Sequence, residues 1–170
     1  MRVVFFRHGP AGERDAARWP DDALRPLTPK GIRRTRLAAA GLRRLEPGIE
    51  LIVTSPLTRA AETAELLREQ LSGVEIETLD LLAPGASLRR LVESVAAHNA
   101  HQTLVLVGHE PDLGKLVGML LFSAPSPIAL KKAGACSIEF SAEVRSGAGQ
   151  LQWFLPPRVL RRLAGKKAHA

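Results

Sequence analysis

A run of four apolar residues without polar alternation, at positions 3–6, ends abruptly at Arg7, His8 and Gly9. Its β-branched and aromatic residues indicate a strand that is buried on both faces of a sheet. Such a strand needs helices on both sides, and open α/β sheets bind their ligands at the carboxyl ends of the strands. Because Gly9 allows a sharp turn and a close approach of the backbone to a ligand, His8 is the first candidate for the chemical centre.

Apolar runs and helical patterns alternate along the rest of the chain. The pattern predicts strands over residues 51–53, 74–79 and 103–107, and helices that begin near Thr28, Ser55, Ser87 and Pro111. Residues 136–140 and 151–155 alternate in polarity across a Gly/Ser-containing turn region, as in an antiparallel hairpin. The sequence therefore predicts an α/β fold, a three-layer sandwich with a mainly parallel sheet flanked by helices and an antiparallel edge hairpin near the C-terminus.

The length of 170 residues fits one domain, which we assign to residues 1–157, followed by a basic C-terminal tail over residues 158–170. The net charge of +7 is compatible with nucleic-acid binding, but the arginines are spread over several predicted helices and the chain has no tyrosine. Without a zinc-ligand spacing or aromatic strands on which bases could stack, we expect no nucleic-acid partner. The net positive charge instead favours attraction of an anionic substrate or an acidic partner.

Two features bear on the compartment. No apolar run approaches the roughly 20 residues that a helix needs to cross a bilayer, so we expect no membrane association. The single cysteine, Cys136, cannot form an intrachain disulfide and is compatible with a reducing environment. We therefore expect a cytoplasmic protein, and the sequence does not indicate its oligomeric state.

A cation or an imidazole follows each of three predicted strands. Arg7 and His8 end the first strand, Arg59 lies at the start of the helix after the strand at 51–53, and His109 follows the strand at 103–107. Arg59 falls in the first turn of a predicted helix, where a cation opposes the helix dipole and an anion would be favoured. Because the carboxyl ends of parallel strands lie at one edge of the sheet, we expect these four side chains to converge. Two forked guanidiniums beside helix N-termini suit the oxygens of a phosphoryl group.

At these positions the chain resembles the histidine phosphatase superfamily. The matching motifs occur in the family's order: Arg7-His8-Gly9, residues 27–31, residues 55–64, and Gly108-His109-Glu110-Pro111. The resemblance covers about residues 2–140. The compact length and the stretch at 130–134 are most similar to the small SixA-type phosphohistidine phosphatases within that superfamily.

The resemblance implies that His8 is a nucleophile that attacks phosphorus and becomes transiently phosphorylated. It implies that Arg7, Arg59 and His109 bind the phosphate, and that water then hydrolyses the phosphohistidine. No cofactor or metal is expected, because the guanidiniums supply the positive charge.

Many relatives also protonate the leaving group with a carboxylic acid, for which Asp80 and Glu110 are the candidates here; Asp112 also lies near the expected pocket. The choice between them stays open. The resemblance favours a phosphohistidine-bearing protein as the substrate and partner, with a small phosphate monoester as the alternative. A non-catalytic phosphate-binding adaptor is the alternative from a different class of protein.

Overall fold

The computed structural model describes residues 1–126 and 128–165 of the chain. The strands are β1 (Arg2–Arg7), β2 (Leu51–Thr54), β3 (Glu75–Thr78), β4 (Thr103–Gly108), β5 (Ala135–Glu139) and β6 (Gln150–Leu155). The helices are α1 (Pro29–Leu45), α2 (Thr58–Arg68), α3 (Leu88–Ala97), α4 (Asp112–Phe122) and α5 (Pro157–Leu163), and there are short 3-10 turns at Asp22–Leu24 and Asp80–Leu82. None of the described helices is long and apolar enough to cross a membrane.

The described strands form one sheet in the order β3-β2-β4-β1-β5-β6. Strands β1 to β4 run parallel, whereas β5 pairs antiparallel with β1 and β6 antiparallel with β5. This confirms the predicted α/β fold with a mainly parallel sheet and an antiparallel edge hairpin. Strand β1 lies inside the sheet between β4 and β5, so its apolar run is buried as expected.

The two faces of β1 belong to two separate apolar cores. Val3 and Phe5 contact the core that includes side chains of α3 and α4, whereas Val4 and Phe6 contact the core formed with α1, α2 and α5. All four side chains are fully buried. Burial on both faces explains why this strand is continuously apolar instead of alternating.

Helix α1 begins as its sequence predicts. The hydroxyl of Thr28 accepts a hydrogen bond from the Gly31 N–H at 2.9 Å, and Pro29 is the first helical residue. Helix α2 differs from the prediction, because it begins at Thr58 with Leu57 as its N-cap and not at Ser55. Ser55 is instead part of the site described below.

The end of the described chain also differs from the expectation of a basic tail from residue 158. Residues of α5 fold against α1, with Leu160 fully buried and the Arg44 guanidinium donating to the Leu163 carbonyl oxygen at 2.9 Å. The expectation for residues 166–170 lies outside the described residues. The folded unit therefore extends past residue 157, because an apolar side chain of α5 completes one of the two cores.

We expect Gly41→Ala to destabilise the protein through this helix pair. A Cβ atom at Gly41 would overlap the carbonyl oxygen and the carbonyl carbon of Leu160, which are backbone atoms that cannot move alone. Overpacking typically costs about 1–3 kcal/mol, and the better helix propensity of alanine offsets about 1 kcal/mol of that. Urea denaturation should show a net loss in the free energy of unfolding. The control is Gly48→Ala, where an added Cβ meets no atom within 4 Å; equal stability of the two variants would contradict the prediction.

Candidate active site

The carboxyl ends of the three neighbouring strands β2, β4 and β1 form the site. Arg7 lies in register with Gly108, and the His8 N–H donates to the Gly108 carbonyl oxygen at 3.1 Å. The Ser55 N–H donates to the Val107 carbonyl oxygen at 3.0 Å. The hydrogen bonds of parallel strands therefore align the residues that follow β1, β2 and β4 at one edge of the sheet.

The structure brings the four predicted site residues together at this edge. The rings of His8 and His109 lie with their centroids 5.0 Å apart. Arg59, in the first turn of α2, is linked to the turn after β1 because the Thr63 hydroxyl donates to the Arg59 carbonyl oxygen at 2.7 Å and accepts from the Gly9 N–H at 3.0 Å. The charges of Arg7 and Arg59 act on both histidines.

His8 is held as a neutral imidazole with one defined tautomer. Its Nδ1 lies 2.7 Å from the Gly9 carbonyl oxygen, and because a carbonyl can only accept, Nδ1 carries the proton. Burial and the neighbouring His109 are the main causes that lower the pKa of His8 to about 3. The lone pair of Nε2 is therefore available at neutral pH, which is what nucleophilic attack requires.

His109 is oriented by Ser55. Its Nε2 lies 2.8 Å from the Ser55 hydroxyl, which also accepts a hydrogen bond from the Leu57 N–H at 3.3 Å. With the hydroxyl donating to Nε2, the ring proton lies on Nδ1. Burial, followed by the charge of Arg59, lowers the pKa of His109 to about 4.

The two arginines are each fixed by part of their guanidinium. Arg7 Nη1 donates to the Leu130 carbonyl oxygen at 2.8 Å. Arg59 is 3% exposed, with Nη1 donating to the Asp22 carbonyl oxygen at 2.8 Å and Nη2 lying 3.2 Å from Asp22 Oδ2. Burial lowers the pKa of both guanidiniums from the ordinary value. Arginine side chains keep their charge at neutral pH in proteins.

Three donors in this site are buried without a hydrogen-bond acceptor among the described residues: Arg7 Nε, Arg59 Nε and His109 Nδ1. A buried donor without a partner costs about 1–3 kcal/mol. Three of them around one histidine are what an oxyanion with several acceptor oxygens would satisfy. The arrangement can therefore bind a phosphoryl group and present it to His8.

The two candidate acids have different surroundings. Asp80 is exposed at the start of the turn after β3. Glu110 is half-buried, and its Oε1 accepts from the Leu130 N–H at 2.9 Å. Burial raises the pKa of Glu110 against the effect of this bond and of nearby Arg7. Glu110 thus fixes the segment whose carbonyl oxygen holds Arg7, and a role for either carboxyl group as the acid stays a prediction.

Asp22, Ser55 and Lys132 are site residues that the sequence reasoning missed. Asp22 lies in an irregular loop without periodicity, and Ser55 also fits a helix cap, so neither gives a distinctive signal. Lys132 precedes Ala133, whose N–H donates to the carbonyl oxygens of Arg7 and His8 at 3.1 and 3.2 Å. Lys132 is exposed, and desolvation followed by the charges of Arg7, Arg25 and Arg59 lowers the pKa of its ammonium group, so a further cation lies near these arginines.

The buried histidines predict how stability depends on pH. In the unfolded chain a histidine binds its proton near pH 6.5, whereas His8 and His109 do so only near pH 3 and 4 when folded. Their contribution to stability is complete above pH 6.5 and is lost as the pH falls below it. The expected slope is about 1.4 kcal/mol per pH unit for each residue between pH 4 and 6. Urea denaturation at several pH values should show this slope in the free energy of unfolding. An equal slope in a His8→Gln variant would contradict the prediction.

Comparisons with known proteins agree with this fold. The family model of the histidine phosphatase superfamily (branch 1) matches residues 3–83. An uncharacterised protein of Picosynechococcus is 42% identical over 157 residues, covering 89% of each chain. The phosphohistidine phosphatase SixA of Escherichia coli is 30% identical over 160 residues, covering 92% of this chain and 94% of SixA. A structure of the protein histidine phosphatase SixA complexed with tungstate has a TM-score of 0.81 and 28% identity, covering 94% of this chain and 99% of that one.

The chain belongs to the histidine phosphatase superfamily. Within that superfamily it is a SixA-like member, as its sequence and its fold both show. These findings support phosphatase activity.

Proposed function

We propose that this protein hydrolyses phosphohistidine on a protein substrate and that His8 is the catalytic nucleophile. The observation that carries the proposal is the meeting of three buried donors without acceptors, on Arg7, Arg59 and His109, around a neutral imidazole. The similarity to SixA supports the choice of substrate class.

In the first step, Nε2 of His8 attacks phosphorus while the bond from phosphorus to the leaving nitrogen breaks. The electron pair of that bond departs with the leaving imidazole, and the phosphoryl group stays on His8. The guanidiniums of Arg7 and Arg59 and the Nδ1 proton of His109 stabilise the charge on the phosphoryl oxygens during transfer. In the second step, the oxygen of water attacks phosphorus, the bond from Nε2 of His8 to phosphorus breaks, and its electron pair returns to the imidazole. The protons of the water go to the released inorganic phosphate and to solvent.

The leaving group favours phosphohistidine over an alkyl phosphate. An alkoxide needs a proton from a nearby acid, whereas a phosphorylated imidazole has a second ring nitrogen that water can protonate before the bond breaks. Neither Asp80, which is exposed, nor Glu110, which holds a backbone N–H, is an evident proton donor. A phosphohistidine substrate does not depend on such a donor.

The loop before α1, which carries Asp22, borders a space large enough for a protein segment. An open cavity of about 800 Å³ lies along the loop before α1, lined by residues 12–16, 18–19 and 26–29. Two arginines, Arg14 and Arg18, and two carboxylates, Glu13 and Asp15, line it and are exposed, so a protein surface would meet charges of both signs there.

A side-by-side assay tests the proposal. Purified protein is given a phosphohistidine-bearing protein, sugar phosphates and an aryl phosphate, and phosphate release is compared as kcat/KM. A preference for the phosphoprotein, with an acid-labile phosphoenzyme trapped by rapid quenching, is the expected result. Faster turnover of a small ester would assign the protein to the monoesterases. Phosphate binding without any phosphoenzyme would make it a non-catalytic adaptor.

A further inference from the structure

Asp22 makes two contacts with Arg59 that use one edge of its guanidinium. The Asp22 carbonyl oxygen lies 2.8 Å from Nη1, and the carboxylate Oδ2 lies 3.2 Å from Nη2. A guanidinium has a second fork, formed by Nε–H and the remaining Nη2–H. Nε is the Arg59 atom that is buried without an acceptor among the described residues, so the second fork is the one left for an anion.

The same carboxylate is held in place by two other arginines. Arg25 Nε donates to Asp22 Oδ1 at 2.8 Å, and Arg14 Nε lies 3.7 Å from the same oxygen. Arg25 is itself buried and anchored, since its Nη1 donates to the Gly12 carbonyl oxygen at 2.6 Å. Asp22 is therefore a fixed support on the loop before α1, because its carboxylate and its carbonyl group are both engaged.

We propose that Asp22 is a positioning residue of the phosphoryl site, which occupies the Nη1–Nη2 edge of Arg59 and thereby directs the Nε–Nη2 fork toward the phosphoryl oxygens. This inference rests on the proposed function only in taking the bound anion to be a phosphoryl group. Asp22 acts through Arg59 and does not itself touch the substrate. Its carboxylate and a phosphoryl group are both anions and would repel each other in direct contact.

Charge considerations lead to two opposite expectations for Asp22. If it merely competed with the substrate for Arg59, removing its charge would strengthen anion binding. If it orients Arg59, removing its charge weakens anion binding although the local potential becomes more positive. The direction of the change therefore separates positioning from competition.

The test is a double-mutant cycle read out by anion binding. The dissociation constants of inorganic phosphate and of tungstate are measured by calorimetry for the wild type, Asp22→Asn, Arg59→Met and the double variant. Asp22→Asn keeps the carbonyl bond to Arg59 and the side-chain shape. We expect about tenfold weaker binding, because the Arg59 fork must then be ordered when the anion binds. In the Arg59→Met background the same substitution should change binding less than twofold, because the group that it orients is gone.

The matched control is Asp21→Asn, which lies in the same loop and removes the same negative charge. The Asp21 carboxylate accepts from the Ala23 N–H and not from Arg59, and asparagine can replace it as a cap, so binding should stay within twofold of the wild type. If Arg59→Met does not fold, Arg59→Gln takes its place in the cycle. Unchanged or tighter binding by Asp22→Asn, or an equal loss in both backgrounds, would overturn the proposal.

The cycle needs no turnover, so its result stands apart from the proposed reaction. The expected coupling between Asp22 and Arg59 in anion binding, found in a protein that releases phosphate from no substrate, would contradict the proposed function. Asp22 would still be a positioning residue. Full phosphatase activity without coupling between Asp22 and Arg59 would do the reverse.

Discussion

Replacing His8 with alanine is expected to abolish phosphate release from a phosphohistidine protein, with a fall in kcat on the order of 10⁴-fold or more. The imidazole supplies the nitrogen that bonds to phosphorus in the proposed intermediate, and alanine has no atom that can replace it. The defined tautomer makes the loss specific, because the Gly9 carbonyl oxygen holds the proton on Nδ1 and leaves Nε2 as the nucleophile. Rapid-quench experiments should show that the variant forms no acid-labile phosphoenzyme.

His98→Ala is the matched control for this substitution. His98 lies at the end of α3, where its Nδ1 is 2.7 Å from the Ser94 carbonyl oxygen and its Nε2 is near the Glu77 carboxylate. Among the described residues its hydrogen bonds go to Ser94 and Glu77 and not to the phosphoryl site, so turnover should stay within about twofold of the wild type. Circular dichroism of both variants checks that they fold. Undiminished turnover by the His8→Ala variant would show that the phosphoryl group passes through another route.

The sheet and the meeting of Arg7, His8, Arg59 and His109 could be predicted because both follow from regular patterns. Doubly buried strands leave an apolar run in the sequence, and parallel strands place their carboxyl ends at one edge. The residue that follows each run is then placed by topology alone. A side chain such as His109, which comes directly after β4, needs no other information to be located at the site.

Asp22 and Ser55 could not be placed in this way, for different physical reasons. Asp22 lies in a long loop, and its position depends on contacts with Arg25 and Arg59. No hydrophobic periodicity in the sequence reports such contacts. Serine is common at N-caps, and Ser55 precedes the expected helix. Its hydroxyl bonds His109 as well as the Leu57 N–H, and α2 begins three residues later. The same local sequence is compatible with a cap and with a site residue, and only the tertiary structure decides between them.

The end of the chain shows a similar limit. The arginines at 158, 161 and 162 favour the prediction of a charged tail. Their spacing of three and four residues from the first also suits one exposed face of a helix. Leu160 lies on the opposite face and enters the core beside α1. A single buried leucine in a short basic segment is too weak a pattern to predict docking, because its partner surface is formed by Gly41, more than 100 residues earlier.

We expect Arg7→Lys to lower kcat/KM by about 10²- to 10³-fold, even though lysine keeps the positive charge. Arg7 Nη1 is held by the Leu130 carbonyl oxygen, which leaves Nε as a buried donor next to His8. A lysine ammonium cannot bond this carbonyl oxygen and also present a planar fork to phosphoryl oxygens. Steady-state kinetics with a phosphohistidine protein, and the inhibition constant of inorganic phosphate, measure the loss.

The control is Arg2→Lys, at the other end of the same strand, where the guanidinium pairs with Glu46 at 3.0 Å and with Glu139 at 3.4 Å, away from the phosphoryl site. It should leave kcat/KM within about twofold of the wild type. Arg7→Met, compared with Arg7→Lys, then separates charge from geometry. If charge alone stabilised the transferring phosphoryl group, lysine would restore most of the activity that methionine loses. If the fork is what matters, the two variants will be similarly impaired, because a point charge satisfies phosphoryl oxygens without fixing the angle at which His8 attacks.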